Sequence, residues 1–97
     1  MSELLKPLRA GAFAMKNRVV LAPLTRCRAS EGRVPNDLMR DYYVQRASAG
    51  LMLTEATSVT PMGVGYPNTP GIWSDAQVAG WTAITSAVHR ANGTILL

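Results

Sequence analysis

Three short apolar runs divide the chain, and stretches with helical spacing lie between them. The first run is Val19 to Ala22, the second is Leu51 to Ala56, and the third begins at Thr94. The first run is continuous and starts with β-branched residues, which is typical of a strand buried on both faces of a parallel sheet. The pattern therefore predicts strands that begin near residues 19, 51 and 94.

The first predicted helix starts after Asn36, because asparagine is a favoured N-cap and Asp37 suits the positive end of a helix. Apolar and aromatic residues then recur at helical spacing over residues 38–47. Gly50 provides a stop directly before the second strand. We expect one helix between these two signals.

The second predicted helix has the clearest start signal in the chain. Ser74, with Gln77 three residues later, forms a capping box. The helix is expected to end at Asn92 and Gly93, two residue types that favour helix termination. Its inward-facing stripe is predicted to consist of Val78, Trp81, Thr85 and Val88.

The resulting order is β-α-β-α-β, preceded by a weak alternation over residues 4–16 that indicates at most a hairpin. Two right-handed crossovers of this kind predict a parallel α/β sheet, either doubly wound or a (β/α)8 barrel. A barrel takes about 250 residues, and the third strand is interrupted at Leu97. We therefore expect residues 1–97 to be the N-terminal portion of a single larger domain, whose remainder is on another polypeptide or missing.

The composition is that of an ordinary globular chain, with 97 residues of which 47% are hydrophobic and 16% are charged. The net charge of +4 would suit an anionic ligand or a nucleic acid, but the basic residues form no stripe with interleaved aromatics. The densest group, Arg26, Arg28 and Arg33, falls in a predicted loop. A solvated loop explains this group better than nucleic-acid binding, so we expect no nucleic-acid partner.

A single cysteine, Cys27, and a single histidine, His89, limit the chemistry further. One cysteine excludes an internal disulfide, and one residue of each type excludes a structural zinc site. Glu3, Lys6 and Arg9 interrupt any signal-peptide core. No run approaches the ~18 apolar residues of a membrane span. The sequence therefore predicts a cytoplasmic protein with no membrane contact.

Polar residues appear where the first two strands end, which is where ligands collect in parallel α/β proteins. Thr25 follows the first strand, and Glu55 with Ala56 ends the second. Thr25 and Glu55 can equally serve to satisfy backbone groups at the starts of the two loops. Spacing alone does not separate a binding role from this structural one.

Residues 57–73 form a long loop in which prolines and glycines are so frequent that regular structure is excluded. Loops of this length inside compact domains are usually functional. The stretch GVGYPN lacks the third glycine and the immediate helix of a dinucleotide fingerprint, so we interpret it as a shaped loop. Tyr66 lies in this stretch, and it is either a ligand contact or an anchor for the loop itself.

Three longer stretches together point to one family. They are NRVVLAPLTRCRA, PNDLMRDYYVQRASAGLMLTEAT and GYPNTPGIWSDAQVAGWTAITSAVHRANG. They closely resemble the N-terminal part of Old Yellow Enzyme family flavoproteins, the ene-reductases related to N-ethylmaleimide reductase. The resemblance covers nearly all 97 residues in the right order. It implies the N-terminal segment of an FMN-binding (β/α)8 TIM barrel.

The resemblance also implies an activity, in which a hydride from NADPH or NADH passes by way of FMN to the β-carbon of an activated alkene. It implies that Thr25 donates a hydrogen bond near the flavin ring, that the Ala56 backbone approaches the ring, and that Tyr66 lines the substrate pocket. Cys27 lies two residues beyond the position that a thiol-bearing branch of the family uses, so it receives no redox role. The implied cofactor-binding residues are Ala22, Pro23, Leu24, Thr25 and Ala56.

The same resemblance assigns the remaining catalytic groups to positions beyond Leu97. These groups are the pair that holds the substrate carbonyl, the proton-donating tyrosine and the basic residues on the FMN phosphate. We therefore expect no catalytic residue in this segment, and no activity without the remainder of the barrel as a second polypeptide. A different interpretation is a catalytically inactive fragment that binds another protein through open sheet edges.

Overall fold

An antiparallel hairpin opens the structure, a computed structural model that describes residues 2–97. Its strands are β1 (Leu8–Ala10) and β2 (Phe13–Met15), and a single 3-10 turn, Glu3–Leu5, precedes them. Gly11 has a φ of +59°, in the left-handed region that glycine enters without a Cβ penalty. The hairpin that the weak alternation indicates is confirmed.

The centre of the fold is a three-stranded parallel sheet in the order β3-β4-β5. Its strands are β3 (Val20–Leu21), β4 (Leu51–Leu53) and β5 (Ile95–Leu96). The helix α1 (Asp37–Val44) connects β3 to β4, and α2 (Asp75–Arg90) connects β4 to β5. The predicted β-α-β-α-β order is confirmed, with strands only two or three residues long.

The register of the sheet fixes where its loops leave. Val20 lies beside Leu51, and Met52 lies beside Ile95. Because all three strands are parallel, their carboxyl ends lie side by side at one end of the sheet. The loops that lead to α1 and α2 both start from that end of the sheet.

The helix α1 starts at the predicted cap, since Asn36 Oδ1 accepts a hydrogen bond from the Met39 N–H at 3.0 Å. Its last turn gives way to tight turns over residues 45–49, so the expectation of a helix as far as Gly50 is wrong at its C-terminal end. Gly50 is required for a different reason, because a Cβ there would clash with the backbone oxygen of Asn17. The glycine allows two chain segments to approach closely.

The helix α2 has the predicted capping box, and its buried face matches the prediction at Trp81 and Val88 but not at Val78 and Thr85. Ser74 Oγ accepts from the Gln77 N–H at 3.2 Å, and Gln77 Oε1 accepts from the Ser74 N–H at 3.0 Å. Val78 is 46% exposed and Thr85 is half-buried. Gln77 tolerates burial because its amide is paired, with Nε2 donating to the Gly32 carbonyl at 3.0 Å. The buried stripe is Gln77, Trp81, Ile84 and Val88.

The core lies between the two helices and β4. Tyr43 and Trp81 pack with ring centroids 6.4 Å apart, and both are buried. Burial of a large apolar side chain contributes about 1.5–3 kcal/mol relative to exposure. The principal core residues are Met39, Tyr43, Met52, Trp81, Ile84 and Val88.

The edge of β3 that faces away from β4 is open. Val20 on this strand is 46% exposed. Among residues 2–97, no strand pairs with β3 on that side. The expectation that the first strand is buried on both faces is wrong within residues 2–97, because such burial needs a packed layer on each face of the sheet and Val20 is exposed.

Lys16 joins the hairpin to both helical segments. Its ammonium donates to the carbonyls of Ala47 and Asn92, each at 2.8 Å. The Asn92 carbonyl lies directly after the C-terminus of α2, where partial negative charge favours a cation. The hairpin is thus fixed near the amino-terminal ends of β4 and β5. This is the end of the sheet opposite the carboxyl ends of the strands.

Candidate functional site

A cavity of about 220 Å³ opens where β3 and β4 end. It brings together three residues that the sequence analysis singles out, namely Thr25, Ala56 and Tyr66. The other lining residues are Thr57, Ser58, Gly63, Gly65 and Thr69. Three further predicted cofactor residues do not line the cavity but are exposed on the segment that leads to it: Ala22, Pro23 and Leu24.

The side chains of Thr25 and Glu55 differ in their exposure and in their hydrogen bonds. Glu55 is 3% exposed and its Oε1 accepts the Arg26 N–H at 3.5 Å, so it serves the backbone at the start of the loop. Thr25 is exposed, and no hydrogen bond joins its hydroxyl to another residue within 2–97. The hydroxyl of Thr25 is therefore available to a ligand in the cavity, whereas Glu55 has the structural role.

Glu55 also connects α1 to the site through its backbone. Its N–H donates to the Tyr43 hydroxyl at 3.0 Å in the buried interior. Burial raises the pKa of Tyr43 to about 12, so this hydroxyl stays protonated at physiological pH. Burial also raises the pKa of the Glu55 carboxyl, and the hydrogen bond and charge of Arg26 oppose that shift. Both groups lie behind the cavity and support it.

Two arginines from the predicted solvated loop have specific partners. The Arg26 guanidinium lies 3.5 Å from the ring centroid of Tyr42, within range of a cation–π interaction. Arg33 donates hydrogen bonds to backbone and side-chain oxygens of residues 66–69. The interpretation as a solvated loop is therefore wrong for Arg26 and Arg33. Neither partner could be read from local sequence, because each lies on a different element.

The long loop over residues 57–73 is held at several points. Ser58 and Gly71 form an isolated β-bridge. The indole N–H of Trp81 donates to the Gly71 carbonyl at 3.1 Å, which ties the loop to α2. A single 3-10 turn, Pro61–Gly63, interrupts the loop, so the expectation that regular structure is excluded is wrong at that turn.

A larger concavity, of about 530 Å³, lies elsewhere on the molecule. It follows the open edge of β3 and includes Leu5, Val19 and Val20. Its size reflects the unpaired edge of the sheet. The smaller cavity is the better candidate for a ligand site because it lies at the carboxyl ends of the strands, where polar and small residues meet.

The cavity of about 220 Å³ is smaller than the roughly 300–1,000 Å³ of complete small-molecule pockets. Its lining combines hydroxyl groups, as at Thr25, with the small side chain of Ala56. This arrangement suits one part of a flat ligand with a polar edge. Within residues 2–97 there is no group of three His, Cys, Asp or Glu side chains that could hold a metal ion.

In the part of the chain that the structure describes, no helix is both long enough and apolar enough to cross a membrane.

Comparison with known proteins gives consistent results. A sequence profile described as the NADH:flavin oxidoreductase / NADH oxidase family matches residues 3–97. The chain is 51% identical over 98 residues to the flavin oxidoreductase hxnT of Emericella nidulans, covering 96% of this chain and 25% of that protein. It is 47% identical over 95 residues to 12-oxophytodienoate reductase 1 of Oryza sativa, covering 97% of this chain and 25% of that protein.

Solved structures agree with the sequence comparison. The Old Yellow Enzyme homologue of Zymomonas mobilis is 55% identical with a TM-score of 0.92, covering 98% of this chain and 27% of that one. Morphinone reductase in complex with tetrahydroNAD is 49% identical with a TM-score of 0.94, covering 100% of this chain and 26% of that one. The chain therefore spans about a quarter of the length of the relatives that it matches.

Proposed function

The chain belongs to the NADH:flavin oxidoreductase / NADH oxidase family, the family of the Old Yellow Enzyme homologues, and we propose that it contributes part of the active site of an ene-reductase. Members of this family are FMN-dependent oxidoreductases that use NADH or NADPH, and the resemblance noted in the sequence is confirmed. The proposed reaction is the reduction of an activated carbon–carbon double bond.

The proposal assigns the chain to the first part of a (β/α)8 barrel, completed by a second polypeptide. Two observations support the assignment to part of a larger barrel. The chain matches about a quarter of each solved relative, and β3 has an open edge at which Val20 is 46% exposed. A strand supplied by the second polypeptide would pair with that edge and cover it.

The observation that carries the proposal is the convergence of Thr25, Ala56 and Tyr66 on one cavity. Thr25 comes from the loop after β3, and Ala56 and Tyr66 come from the loop after β4. Each has the chemistry that its proposed role requires. The exposed Thr25 hydroxyl would donate a hydrogen bond to the edge of the FMN ring. Ala56 leaves room for the ring to approach the backbone, and Ala22 to Leu24 would line its apolar side.

The cofactor supplies the redox chemistry when it is bound, since FMN accepts a hydride from a reduced nicotinamide and passes one to the β-carbon of an activated alkene. The chain's own residues would bind and orient. Thr25 would bias the electron distribution of the ring by its hydrogen bond. Tyr66 would limit where an alkene can lie above the cavity.

The proposal leaves the carbonyl-binding pair and the proton donor to the remainder of the barrel. The 97 residues by themselves are therefore expected to reduce no alkene. We also propose a cytoplasmic location, which is consistent with the unpaired Cys27 of this chain.

A second candidate function is a non-catalytic segment that binds another protein through its sheet edge. The concavity of about 530 Å³ beside the exposed Val19 and Val20 favours this alternative. It predicts a complex without flavin, whereas the ene-reductase proposal predicts a complex with flavin. The presence of FMN therefore separates the two.

The test is the visible absorption spectrum of the purified protein, recorded together with its intact mass. A flavin band in a sample that also contains a second, larger polypeptide would support the ene-reductase proposal. A colourless complex would support the protein-binding alternative, and a colourless sample of this chain alone would contradict the proposed assembly.

A matched pair of variants locates the flavin. In Ala56→Leu, the larger side chain should exclude the ring and lower the FMN content of the complex several-fold. Ala76→Leu makes the same change at an exposed position on α2 and should leave the FMN content unchanged. Equal FMN content in both variants would show that the ring does not approach Ala56.

A further inference from the structure

The side chain of Arg33 reaches across from the loop after β3 to the loop that carries Tyr66. Its Nη1 donates to the Tyr66 carbonyl at 2.9 Å. The same nitrogen lies 2.9 Å from Thr69 Oγ1 and 3.2 Å from the Thr69 carbonyl. Tyr66 and Thr69 both line the cavity at the carboxyl ends of the strands. Arg33 thus contacts the cavity wall from behind.

Backbone hydrogen bonds run alongside this contact and hold the two loops together. The Gly71 N–H donates to the Arg33 carbonyl at 3.0 Å, and the Ala29 N–H donates to the Asn68 carbonyl at 2.9 Å. The Arg33 bonds carry a full charge on the donor, and charge-assisted bonds are roughly twice as strong as neutral ones. The guanidinium therefore adds a charge-assisted link to the backbone bonds between these loops.

The backbone around Arg33 is shaped for this contact. Gly32 has a φ of +73°, and Arg33 itself has a φ of +59°, in the left-handed region that a residue with a Cβ rarely adopts. Gln77 Nε2 donates to the Gly32 carbonyl at 3.0 Å, which fixes the turn to α2. An unfavourable conformation persists only where surrounding contacts determine it, and here the contacts direct Arg33 toward the Tyr66 loop.

Tyr66 depends on this support because its own side chain has little packing. The side chain is 65% exposed, and it lies in a segment between Gly65 and Pro67 that makes no helix or strand. Its position over the cavity is therefore set by where its backbone is held. The Tyr66 carbonyl is held by the Arg33 guanidinium and by Thr69 Oγ1, at 2.9 and 3.2 Å.

We propose that Arg33 is the positioning residue for Tyr66, and that it determines which alkenes fit the cavity by fixing the Tyr66 loop. This inference rests on the proposed function for its consequence, the selection among alkenes. The link between Arg33 and Tyr66 stands on the hydrogen bonds alone. Arg33 acts through Tyr66 and does not itself touch the cavity space.

The test compares Arg33→Gln with Arg28→Gln in the complete protein, meaning this chain with its second polypeptide. Both variants lose one positive charge, but the Arg28 side chain is exposed and bonds only to the carbonyls of Arg26 and Cys27. With 2-cyclohexen-1-one and NADPH, Arg33→Gln should raise KM for the enone about tenfold, within the hundredfold that a misplacement of about 1 Å can cost. FMN content and the rate of flavin reduction should change less than twofold.

A double-mutant cycle separates positioning from a general loss of structure. In a Tyr66→Ala background, Arg33→Gln should no longer change KM, because the group through which Arg33 acts is gone. The same tenfold rise in both backgrounds would overturn the proposal. Arg33→Gly is the second variant, since glycine adopts the φ of +59° without strain and keeps the backbone bond to Gly71.

Hydrogen exchange tests the link without any activity. Protection of the Ala29 and Gly71 amides should fall about tenfold in Arg33→Gln, and should not fall in Arg28→Gln. If the wild type binds no flavin but these amides respond, the proposed function fails and the Arg33 link remains. If alkene reduction occurs but the amides and KM are unchanged in Arg33→Gln, the Arg33 inference fails alone.

Discussion

The loops that follow β3 and β4 meet at the same cavity but are held in different ways. The first begins with Ala22 to Thr25, which are exposed and make only one local backbone bond, from the Leu24 N–H to the Ala22 carbonyl at 3.0 Å. The second is longer, yet a β-bridge, the Trp81 indole and the Arg33 guanidinium hold it. Where the two loops meet the cavity, the shorter loop is thus held by fewer hydrogen bonds than the longer one.

The difference shows that how firmly a loop is held depends on where its polar groups find hydrogen-bond partners. It does not depend on the length of the loop. A buried backbone group without a partner costs about as much as a lost hydrogen bond. The second loop buries Thr69 and Pro70, and its backbone is paired accordingly. The first four residues of the first loop stay exposed and leave Thr25 available, which is what a ligand-binding segment requires.

The largest expected effect comes from Gly71, where the long loop touches α2. A Cβ at this position would clash with the Trp73 ring and lie 2.6 Å from Gln77 Nε2. Gly71→Ala should lower the free energy of unfolding by about 2–3 kcal/mol, as overpacking of a filled core does. Gly65→Ala is the control, since a Cβ there meets nothing within 4 Å. Urea unfolding of the purified protein measures both, and equal losses would show that the loop is not tightly packed.

The next effect concerns the junction between the two loops, at Tyr43. Tyr43→Phe removes the acceptor of the buried Glu55 N–H and should cost about 1–2 kcal/mol, the penalty of an unsatisfied buried donor. Tyr42→Phe is the matched control, because Tyr42 is half-buried and its ring, not its hydroxyl, contacts Arg26. A loss in Tyr42→Phe as large as in Tyr43→Phe would contradict this account.

A smaller effect depends on pH and on Glu55. Burial raises the pKa of the Glu55 carboxyl above its ordinary value of 4.5, so the folded state disfavours the charged form. The contribution of Glu55 to stability is therefore full below pH 4.5 and is lost as the pH rises through the folded-state pKa. The stability of Glu55→Gln relative to the wild type should fall as the pH is lowered from 7 toward 4.5. A constant difference over that range, in urea unfolding curves, would contradict the raised pKa.

The smallest effect on stability is expected at Thr25, on the shorter loop. Thr25→Ala should change the free energy of unfolding by less than about 0.5 kcal/mol, as is usual at exposed positions. In the complete flavoprotein the same change should shift the flavin reduction potential, because the proposed hydrogen bond to the ring is lost. Spectroelectrochemical titration measures the potential. An unchanged potential would argue against the hydrogen bond.

The order of elements and the helix starts could be predicted because they depend on local signals. The Asn36 cap and the capping box of Ser74 and Gln77 are formed by residues within three positions of each other. The hairpin turn at Gly11 is equally local. Such contacts form in almost any tertiary context, so the sequence alone predicts them.

Trp81 and Val88 could be predicted on the buried face of α2. The rest of that face, and the contacts that hold the long loop, could not be predicted because distant residues decide both. Gln77 is buried in place of Val78 since the Gly32 carbonyl, 45 positions away, accepts its amide. Arg33 finds its acceptors 33 and 36 positions away. The candidate site shows the same division between local signals and distant contacts. The rule that ligands bind at strand ends selected Thr25 and Ala56 together with Glu55, and the long loop singled out Tyr66. The support from Arg33 has no sequence signal.

The contact of Lys16 with two carbonyls has a consequence for folding kinetics. Its acceptors lie 31 and 76 positions along the chain, so the contact closes long loops and is expected to form late in folding. Interactions that form after the transition state slow unfolding and leave the folding rate nearly unchanged. The Lys16 contact is therefore expected to slow unfolding, and so to prolong the lifetime of the folded arrangement of hairpin and helices.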